Sequence, residues 1–242
     1  MITLEQVKTD PSIKTYIRMA DASLGELGFT EHSFAHVGKT AEVAAYILTT
    51  LGYGQREIEL AKIAAYMHDI GNVVNRIDHA QSGAVMAFRI LDRLGADAED
   101  IAEIIAAIGN HDEGTGVPVS AISAALIIAD KTDVRYTRVR KSEFAAFDIH
   151  DRVNFAVREA STTIDDAHKN VTLTMTIDTQ YCSVMDYFEI FLKRMLLCRK
   201  AAERLGLTFR LAINGQSLVF CLEKSTYMQR VELVSISLTT FY

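Results

Sequence analysis

Proline is scarce in this sequence, where Pro11 and Pro118 are the only two among 242 residues. Proline interrupts the interior of a helix, so a chain with so little of it can form long helices. Up to about residue 140, long segments carry Ala, Leu, Ile, Glu and Arg at helical spacing. The first two thirds of the chain therefore predict a helical bundle.

Cysteine is also scarce, and its three residues, Cys182, Cys198 and Cys221, are widely spaced with no CxxC pair. An odd number of isolated cysteines in apolar surroundings argues against a disulfide framework and against a zinc knuckle. We therefore expect reduced thiols, as in a cytoplasmic protein.

Long apolar runs are missing as well, since no stretch reaches the roughly 18 to 20 residues that a membrane span requires. The N-terminal residues Thr3, Glu5 and Gln6 are polar or acidic where a signal peptide would be basic and then apolar. The net charge of −6 argues against binding to extended nucleic acid, so any phosphate-binding surface must be local. We expect a cytoplasmic protein that does not contact a membrane.

Apolar periodicity and capping residues divide the first part of the chain into helices. The helix that ends at His68 becomes apolar on nearly every face, which is typical of a central buried helix. The predicted helices cover 11–27, a segment from a cap at Thr30 or Ser33 to Gly52, 55–70, 78–94, 98–108 and 120–129.

The pattern changes from about residue 170, where threonines alternate with large apolar residues over 171–177 and predict a strand. A helix over 183–205 and a strand over 207–213 follow, and Asn214-Gly215 signals a hairpin to a strand at 218–222. The stretch 231–239 adds one more candidate strand. The expected fold is mainly α, with a helical domain at 1–168 and a C-terminal α+β subdomain at 169–242.

The dipeptide His68-Asp69 leaves the apolar run 63–67, and a carboxylate carried out of a buried helix needs a partner that offsets its desolvation. A metal ion is the obvious candidate. Four of the seven histidines fall at helix ends or in adjoining turns, and Asp130 occupies a similar position. Imidazoles with carboxylates suit Fe, Mn, Zn, Co or Ni, with Mg as a further option. The six candidate ligands are His36, His68, Asp69, His79, His111 and Asp130.

This ordered set resembles the HD-domain superfamily of metal-dependent phosphohydrolases, over roughly residues 30 to 140. The family pattern is a His, then a His-Asp pair, then a distant Asp, which His36, His68-Asp69 and Asp130 match. Members with two metals add two histidines, and His79 and His111 fall at those positions. The resemblance implies an HD-type helical bundle with two divalent ions. Asp69 would bridge the ions, with His36, His68 and Asp130 on one and His79 and His111 on the other.

The chain is also faintly similar to the HD-GYP branch, which cleaves cyclic dinucleotides. Asn72 stands where that branch has the lysine of HDIGK, residues 111–113 lack its doubled histidine, and Val117 replaces its tyrosine. These departures argue against cyclic-dinucleotide cleavage. The resemblance still implies hydrolysis of a phosphate mono- or diester of a nucleotide or related small molecule.

A basic segment follows Asp130, and Lys131, Arg135 and Arg138 have the i, i+4, i+7 spacing of one helix face. We expect these cations to bind the phosphate of the substrate, with Lys131 first. Asp69 and Lys131 are the predicted catalytic residues. In the alternative, Arg135 and Arg138 only pair with Asp133, Glu143 or Asp148. His32 and His150 match no family position, and we interpret both as surface or capping residues.

Two other functions remain open. The C-terminal strand-helix-strand segment, which a minimal hydrolase does not need, would fit an HD-fold nucleotide-binding or signalling module with a structural metal and no turnover. Some HD relatives with two irons oxygenate their substrates, and the same ligands would serve them. The C-terminal region is expected to pack against the bundle or to form a homodimer by strand pairing.

Overall fold

The computed structural model describes residues 2–141, 143, 147–222 and 231–235. The fold is mainly α, as predicted, and the helices lie close to their predicted positions. Two short helices, α1 and α8, were not predicted. The helices are α1 Leu4–Thr9, α2 Pro11–Glu26, α3 Phe34–Thr50, α4 Gln55–Met67, α5 His79–Arg93, α6 Ala98–Gly109, α7 Ala121–Lys131, α8 Ile149–Ala156 and α9 Val184–Arg204.

Side-chain caps fix where several helices begin. Asp10 accepts hydrogen bonds from the backbone N–H groups of Ser12 and Ile13 at the start of α2, where Pro11 occupies the first turn. Of the two caps considered for α3, Ser33 is the one that holds the position. These bonds satisfy backbone donors that a helix leaves unpaired, so each helix begins at a defined residue.

Helices α4 and α7 form the centre of the bundle. They pack against each other, and both α3 and α6 pack against the pair. Every residue from Ile122 to Ala129 is buried, as is every residue from Leu60 to Met67 except Lys62. Burying an aliphatic side chain contributes about 1.5–3 kcal/mol, so these two helices are held firmly in place. Their C-terminal ends carry His68-Asp69 and Asp130.

The C-terminal part forms one sheet with the strand order β1-β2-β3-β4-β5. Only the β2–β3 pair is parallel, because α9 crosses over between these two strands. Asn214 and Gly215 both have positive φ, 50° and 80°, as a tight hairpin turn requires, which confirms the hairpin. The strands are β1 Val157–Ile164, β2 Asn170–Ile177, β3 Thr208–Ile213, β4 Gln216–Leu222 and β5 Val231–Ser235.

Strand β1 was not predicted, and it pairs antiparallel with β2. The predicted boundary at 168/169 would fall in the turn between these two strands, and the division into two domains stays a prediction. Helix α9 packs against both α7 and β3, so the C-terminal part is joined to the bundle. The part of the predicted last strand beyond Ser235 lies outside the described residues. None of the helices described is long and apolar enough to cross a membrane.

Candidate metal centre

The structure brings all six predicted ligands together at the ends of five helices. His68 and Asp69 follow α4, His111 follows α6, and Asp130 is in the last turn of α7. His36 lies in the first turn of α3, and His79 is the first residue of α5. Five of the six are buried, and the side chain of Asp130 is 11% exposed. Two subsets have ligand atoms close enough for one ion each: His36, His68 and Asp130, and His68, Asp69 and His111.

The two carboxylate oxygens of Asp69 face different histidines. Oδ2 lies 3.6 Å from His36 Nε2 and 3.2 Å from His68 Nε2. Oδ1 lies 3.6 Å from His79 Nε2 and 3.9 Å from His111 Nε2. Asp69 therefore stands between two pairs of histidines.

Two further sets of contacts in the cluster have similar distances. Asp130 Oδ1 lies 3.4 Å from His36 Nε2 and 3.6 Å from His68 Nε2. The Nε2 atoms of His79 and His111 are 3.1 Å apart. Both members of the pair His36 and His68 thus lie within 3.6 Å of a carboxylate oxygen from each of two aspartates, whereas in the pair His79 and His111 only Asp69 approaches both rings and Asp112 Oδ1 lies 4.0 Å from His79 Nε2.

Each of the four histidines has its Nδ1 atom placed against an acceptor that lies outside the cluster. Three of these acceptors are backbone carbonyls three residues earlier, and a carbonyl can only accept. Nδ1 must then carry the proton, which leaves Nε2 of the neutral ring as a lone pair directed into the cluster. The Nδ1 contacts are His68 to Ala65 O at 2.7 Å, His79 to Arg76 O at 3.0 Å, His111 to Ile108 O at 2.6 Å and His36 to Asp133 Oδ2 at 2.8 Å.

The centre of the cluster is consequently lined by hydrogen-bond acceptors, because the Nε2 lone pairs of the neutral rings face the carboxylate oxygens. Within the described part of the chain, His36 Nε2, His68 Nε2 and Asp69 Oδ2 are buried and make no hydrogen bond. Leaving a buried polar atom unsatisfied costs about 1–3 kcal/mol, and here several such atoms converge. A cation bound among them would remove this cost. Imidazole nitrogens with carboxylate oxygens form a donor set for divalent first-row metals, so these residues fit a metal.

The pKa values of the clustered residues show how strongly their carboxylates and imidazoles interact. Burial disfavours the His68 imidazolium, but Asp69 and Asp130 outweigh it and raise the pKa of His68 to about 10. Burial would raise the pKa of Asp69, yet the adjacent His68 holds it well below its usual range. Burial, together with the charges of His68 and Lys131, lowers the pKa of His111 well below its usual value. The carboxylates thus attract positive charge, which either a proton on His68 Nε2 or a cation bound among the neutral rings would supply.

Lys131 lies next to the cluster and is buried between two carboxylates. Its Nζ is 2.7 Å from Asp130 Oδ2 and 2.7 Å from Glu113 Oε2. Glu113 in turn accepts from Arg194 Nε of α9 at 3.2 Å. Because Lys131 takes Oδ2 of Asp130, the other oxygen, Oδ1, is the one that faces the histidines. The roles predicted for Lys131, catalysis and phosphate binding, stay predictions, and nothing in the sequence pointed to Arg194.

The prediction that Lys131, Arg135 and Arg138 share a helix face is wrong. Helix α7 ends at Lys131, and Arg138 belongs to a separate 3₁₀ turn. The intervening Thr132, Asp133 and Val134 are weak helix formers. The roles of Arg135 and Arg138 in substrate binding stay predictions, although the argument from a common face no longer supports them.

Both arginines surround Asp133. Arg135 Nε lies 2.9 Å from Asp133 Oδ1, and Arg135 Nη2 lies 3.2 Å from Glu31 Oε2. The buried Arg138 donates to the backbone carbonyls of Asp133 and Glu31, at 2.7 and 2.9 Å. The alternative expectation, that Arg135 pairs with Asp133, matches the structure. Asp133 also accepts from His36 Nδ1, so this network orients a residue of the cluster.

Asn72, the residue that replaces the HDIGK lysine, holds Asp69. Its Nδ2 donates to Asp69 Oδ1 at 2.9 Å and to the Asp69 carbonyl at 3.0 Å.

His32, expected at the surface or as a cap, is half-buried and packs its ring edge-on against His36 with centroids 5.3 Å apart. His150 is exposed, as expected.

Gly71 brings the segment after Asp69 against the start of α5. A Cβ atom at residue 71 would lie 2.0 Å from the carbonyl oxygen of His79 and 2.5 Å from the backbone N of Gly83. Only glycine permits this approach. The close packing sets the distance between Asp69 and His79.

Comparisons with known proteins relate the chain to a family. An uncharacterized protein of Methanocaldococcus jannaschii, MJ1020, is 26% identical over 163 residues, which are 58% of this chain. The chain spans only 62% of the length of that relative. A solved structure of a predicted HD superfamily hydrolase from an uncultured Thermotogales bacterium is 28% identical, with a TM-score of 0.41 over 51% of this chain and 67% of that one. The HD domain family model matches residues 33–189, more than half of the sequence, and the chain therefore belongs to the HD domain family.

Proposed function

We propose that this chain is a metal-dependent phosphohydrolase that uses two divalent ions to cleave a phosphate ester of a nucleotide or related small molecule. One observation carries the proposal. Asp69 presents Oδ2 to one pair of histidine lone pairs and Oδ1 to another pair. A carboxylate in that position can bridge two ions, whereas a single structural ion would use only one of the two histidine pairs.

These distances support the following ligand assignment. His36, His68 and Asp130 with Asp69 Oδ2 would hold one ion, and His79 and His111 with Asp69 Oδ1 would hold the other. The donor set suits Fe or Mn, and also Zn, Co, Ni or Mg. The second group has fewer protein ligands, which would leave more positions open for water or substrate.

Two bound cations would act as Lewis acids on a phosphate and lower the pKa of a water molecule. The protein groups keep the donor set in place for that chemistry. Lys131 holds Oδ2 of Asp130, so that Oδ1 faces the histidines, and Asn72 holds Oδ1 of Asp69. Burial of the cluster limits competition from bulk water and strengthens every charge interaction.

The substrate proposal is a small phosphorylated molecule, mono- or diester, because the net charge of −6 does not favour extended nucleic acid. Lys131, Arg135 and Arg138 remain candidate phosphate contacts. A homodimer formed through the C-terminal region and a cytoplasmic location are part of the same proposal.

The decisive experiment combines metal analysis with a substrate panel. Wild-type protein should purify with, or take up, about two divalent ions per chain and hydrolyse at least one nucleotide or phosphate ester when Mn or Fe is supplied. Asp69→Asn, which keeps the shape and removes the bridging charge, should lose both properties. Asp92→Asn, a change of the same kind at an exposed position of α5, should lose neither.

The outcomes also separate the other functions. Phosphate-ester turnover by Asp69→Asn would contradict the proposal. Tight nucleotide binding without turnover by the wild type would favour the binding module, and oxygen-dependent spectral changes of the iron-loaded protein would favour an oxygenase.

A further inference from the structure

Arg76 is a cationic residue beside the cluster that the proposed function does not use. It lies in the loop between α4 and α5, three residues before His79, and is half-buried. Its Nη1 is 3.3 Å from His79 Nε2 and 3.3 Å from Asn72 Oδ1. The guanidinium therefore reaches the side of the cluster formed by His79 and Oδ1 of Asp69.

Arg76 has no carboxylate partner in the part of the chain that the structure describes. Among the residues that the structure describes, no carboxylate oxygen lies within 4 Å of its guanidinium, and its two hydrogen-bond acceptors are an amide oxygen and an imidazole nitrogen. By contrast, Lys131 is enclosed by Asp130 and Glu113, and Arg135 by Asp133 and Glu31. Of these three cations, all of them described residues, Arg76 is thus the one whose charge is available to an anionic ligand.

Phe29 holds the guanidinium without offsetting its charge. The Arg76 Cζ atom lies 5.5 Å from the centroid of the Phe29 ring, within the range of a cation–π contact. Phe29 is 40% exposed, and Asp112, whose Oδ1 lies 4.0 Å from His79 Nε2, is 27% exposed at its side chain. Arg76 is itself only half-buried and contacts the buried His79, so its guanidinium lies where the cluster borders the surface.

We propose that Arg76 binds the phosphate group of the substrate, as its specificity-determining contact; this inference rests on the proposed function. The planar guanidinium offers paired N–H donors that match two phosphate oxygens, and arginine stays charged at any relevant pH. Once His79 Nε2 is engaged as a ligand, it can no longer accept from Nη1. That donor then turns to an anion bound at the same place.

Three variants test the assignment. Arg76→Gln keeps hydrogen-bonding capacity without charge, Arg76→Lys keeps charge without the planar fork, and Arg89→Gln makes the first change at an exposed position of α5. In metal-loaded protein, calorimetry with inorganic phosphate and steady-state kinetics with an ester that the wild type cleaves are compared. Metal content and Tm are measured for each variant, so that misfolding is detected.

Arg76→Gln should raise both the Kd for phosphate and the KM by roughly 10- to 100-fold, as expected for the loss of a charge-assisted bond. Its kcat and metal content should change little. Arg76→Lys should fall between it and the wild type, and Arg89→Gln should match the wild type. Unchanged phosphate binding in Arg76→Gln would overturn the inference. Tighter metal binding as the only change in this variant would also overturn it, because Arg76 would then merely cover His79. A wild type that binds phosphate through Arg76 but cleaves no ester would contradict the proposed function and leave this contact standing.

Discussion

Asp133 offers the sharpest test of how the cluster is held together. Its Oδ2 accepts from His36 Nδ1 at 2.8 Å, and its Oδ1 accepts from Arg135 Nε at 2.9 Å. Burial would raise the pKa of this carboxyl, but the bond from His36 and the charge of Arg138 hold it below its usual range. Asp133→Asn preserves the shape of the side chain and removes the negative charge that all three neighbours use.

Two effects of different size should follow. Loss of the partner that orients a metal-binding histidine typically weakens metal binding by about 10- to 100-fold. Removing one member of a buried ion pair costs about 3–5 kcal/mol, and we expect the lower end because Arg138 keeps its bonds to two backbone carbonyls. For a chain of this size, about 3 kcal/mol corresponds to a fall in Tm of roughly 6–12 °C.

The assay is competition for metal with a chromogenic chelator, alongside a thermal melt. Since His36 belongs to only one of the two histidine pairs, only one of two binding steps should weaken. Asp178→Asn breaks a partly exposed pair with Arg158 and should alter neither binding step, with a stability change below about 1 kcal/mol. If Asp133→Asn lowers the Tm but leaves both metal affinities at the wild-type values, the reasoning is refuted and Asp133 serves stability alone.

Two further predictions concern a glycine next to the site and a turn of the C-terminal sheet. Gly71→Ala should destabilise the chain by about 3 kcal/mol, because its Cβ would lie 2.0 Å from the carbonyl of His79. Gly38→Ala, in the open interior of α3, should instead stabilise by up to about 1 kcal/mol, and equal urea midpoints for the two variants would contradict the close approach. The bonds to Asp165 from Asn170 and Lys169 lower its pKa from 3.8 to about 2. The contribution of Asp165 to stability is therefore present above pH 4 and lost as the pH falls toward 2. A titration of the Asp165 carboxyl by NMR with a midpoint near 4 would show that the turn between β1 and β2 does not form as described.

The central helices and the six clustered residues could be predicted because burial leaves a direct trace in the sequence. The apolar runs before His68 and before Asp130 mark helices buried on all sides, and polar residues directly after such runs lie at helix ends. Strand β1 left no such trace. It combines Arg158, Glu159 and three hydroxyl residues, and only its two terminal residues are buried, so the apolar alternation of a strand is missing.

The error over Arg135 and Arg138 has a different origin. Their spacing suits a helix face only if α7 continues, and periodicity does not show where a helix ends. The chain leaves α7 after Lys131, and Asp133 bonds with His36, a residue 97 positions earlier. The bond between Asp133 and His36 depends on tertiary structure, which the local sequence does not reveal.

The same hydrogen bonds that finish the helices also prepare the ligands. At the end of a helix the last carbonyls have no partner within the helix, and Ala65 O and Ile108 O are in that position. His68 and His111, each three residues later, satisfy these carbonyls through Nδ1 and thereby point Nε2 into the cluster. A histidine placed three residues after such a carbonyl is thus oriented by local structure alone. His36 lies at the start of a helix instead and has no such carbonyl nearby, so its orientation depends on Asp133, two residues after the end of α7. The cluster is therefore complete only when α3 and α7 have packed together, which couples its assembly to the folding of the bundle.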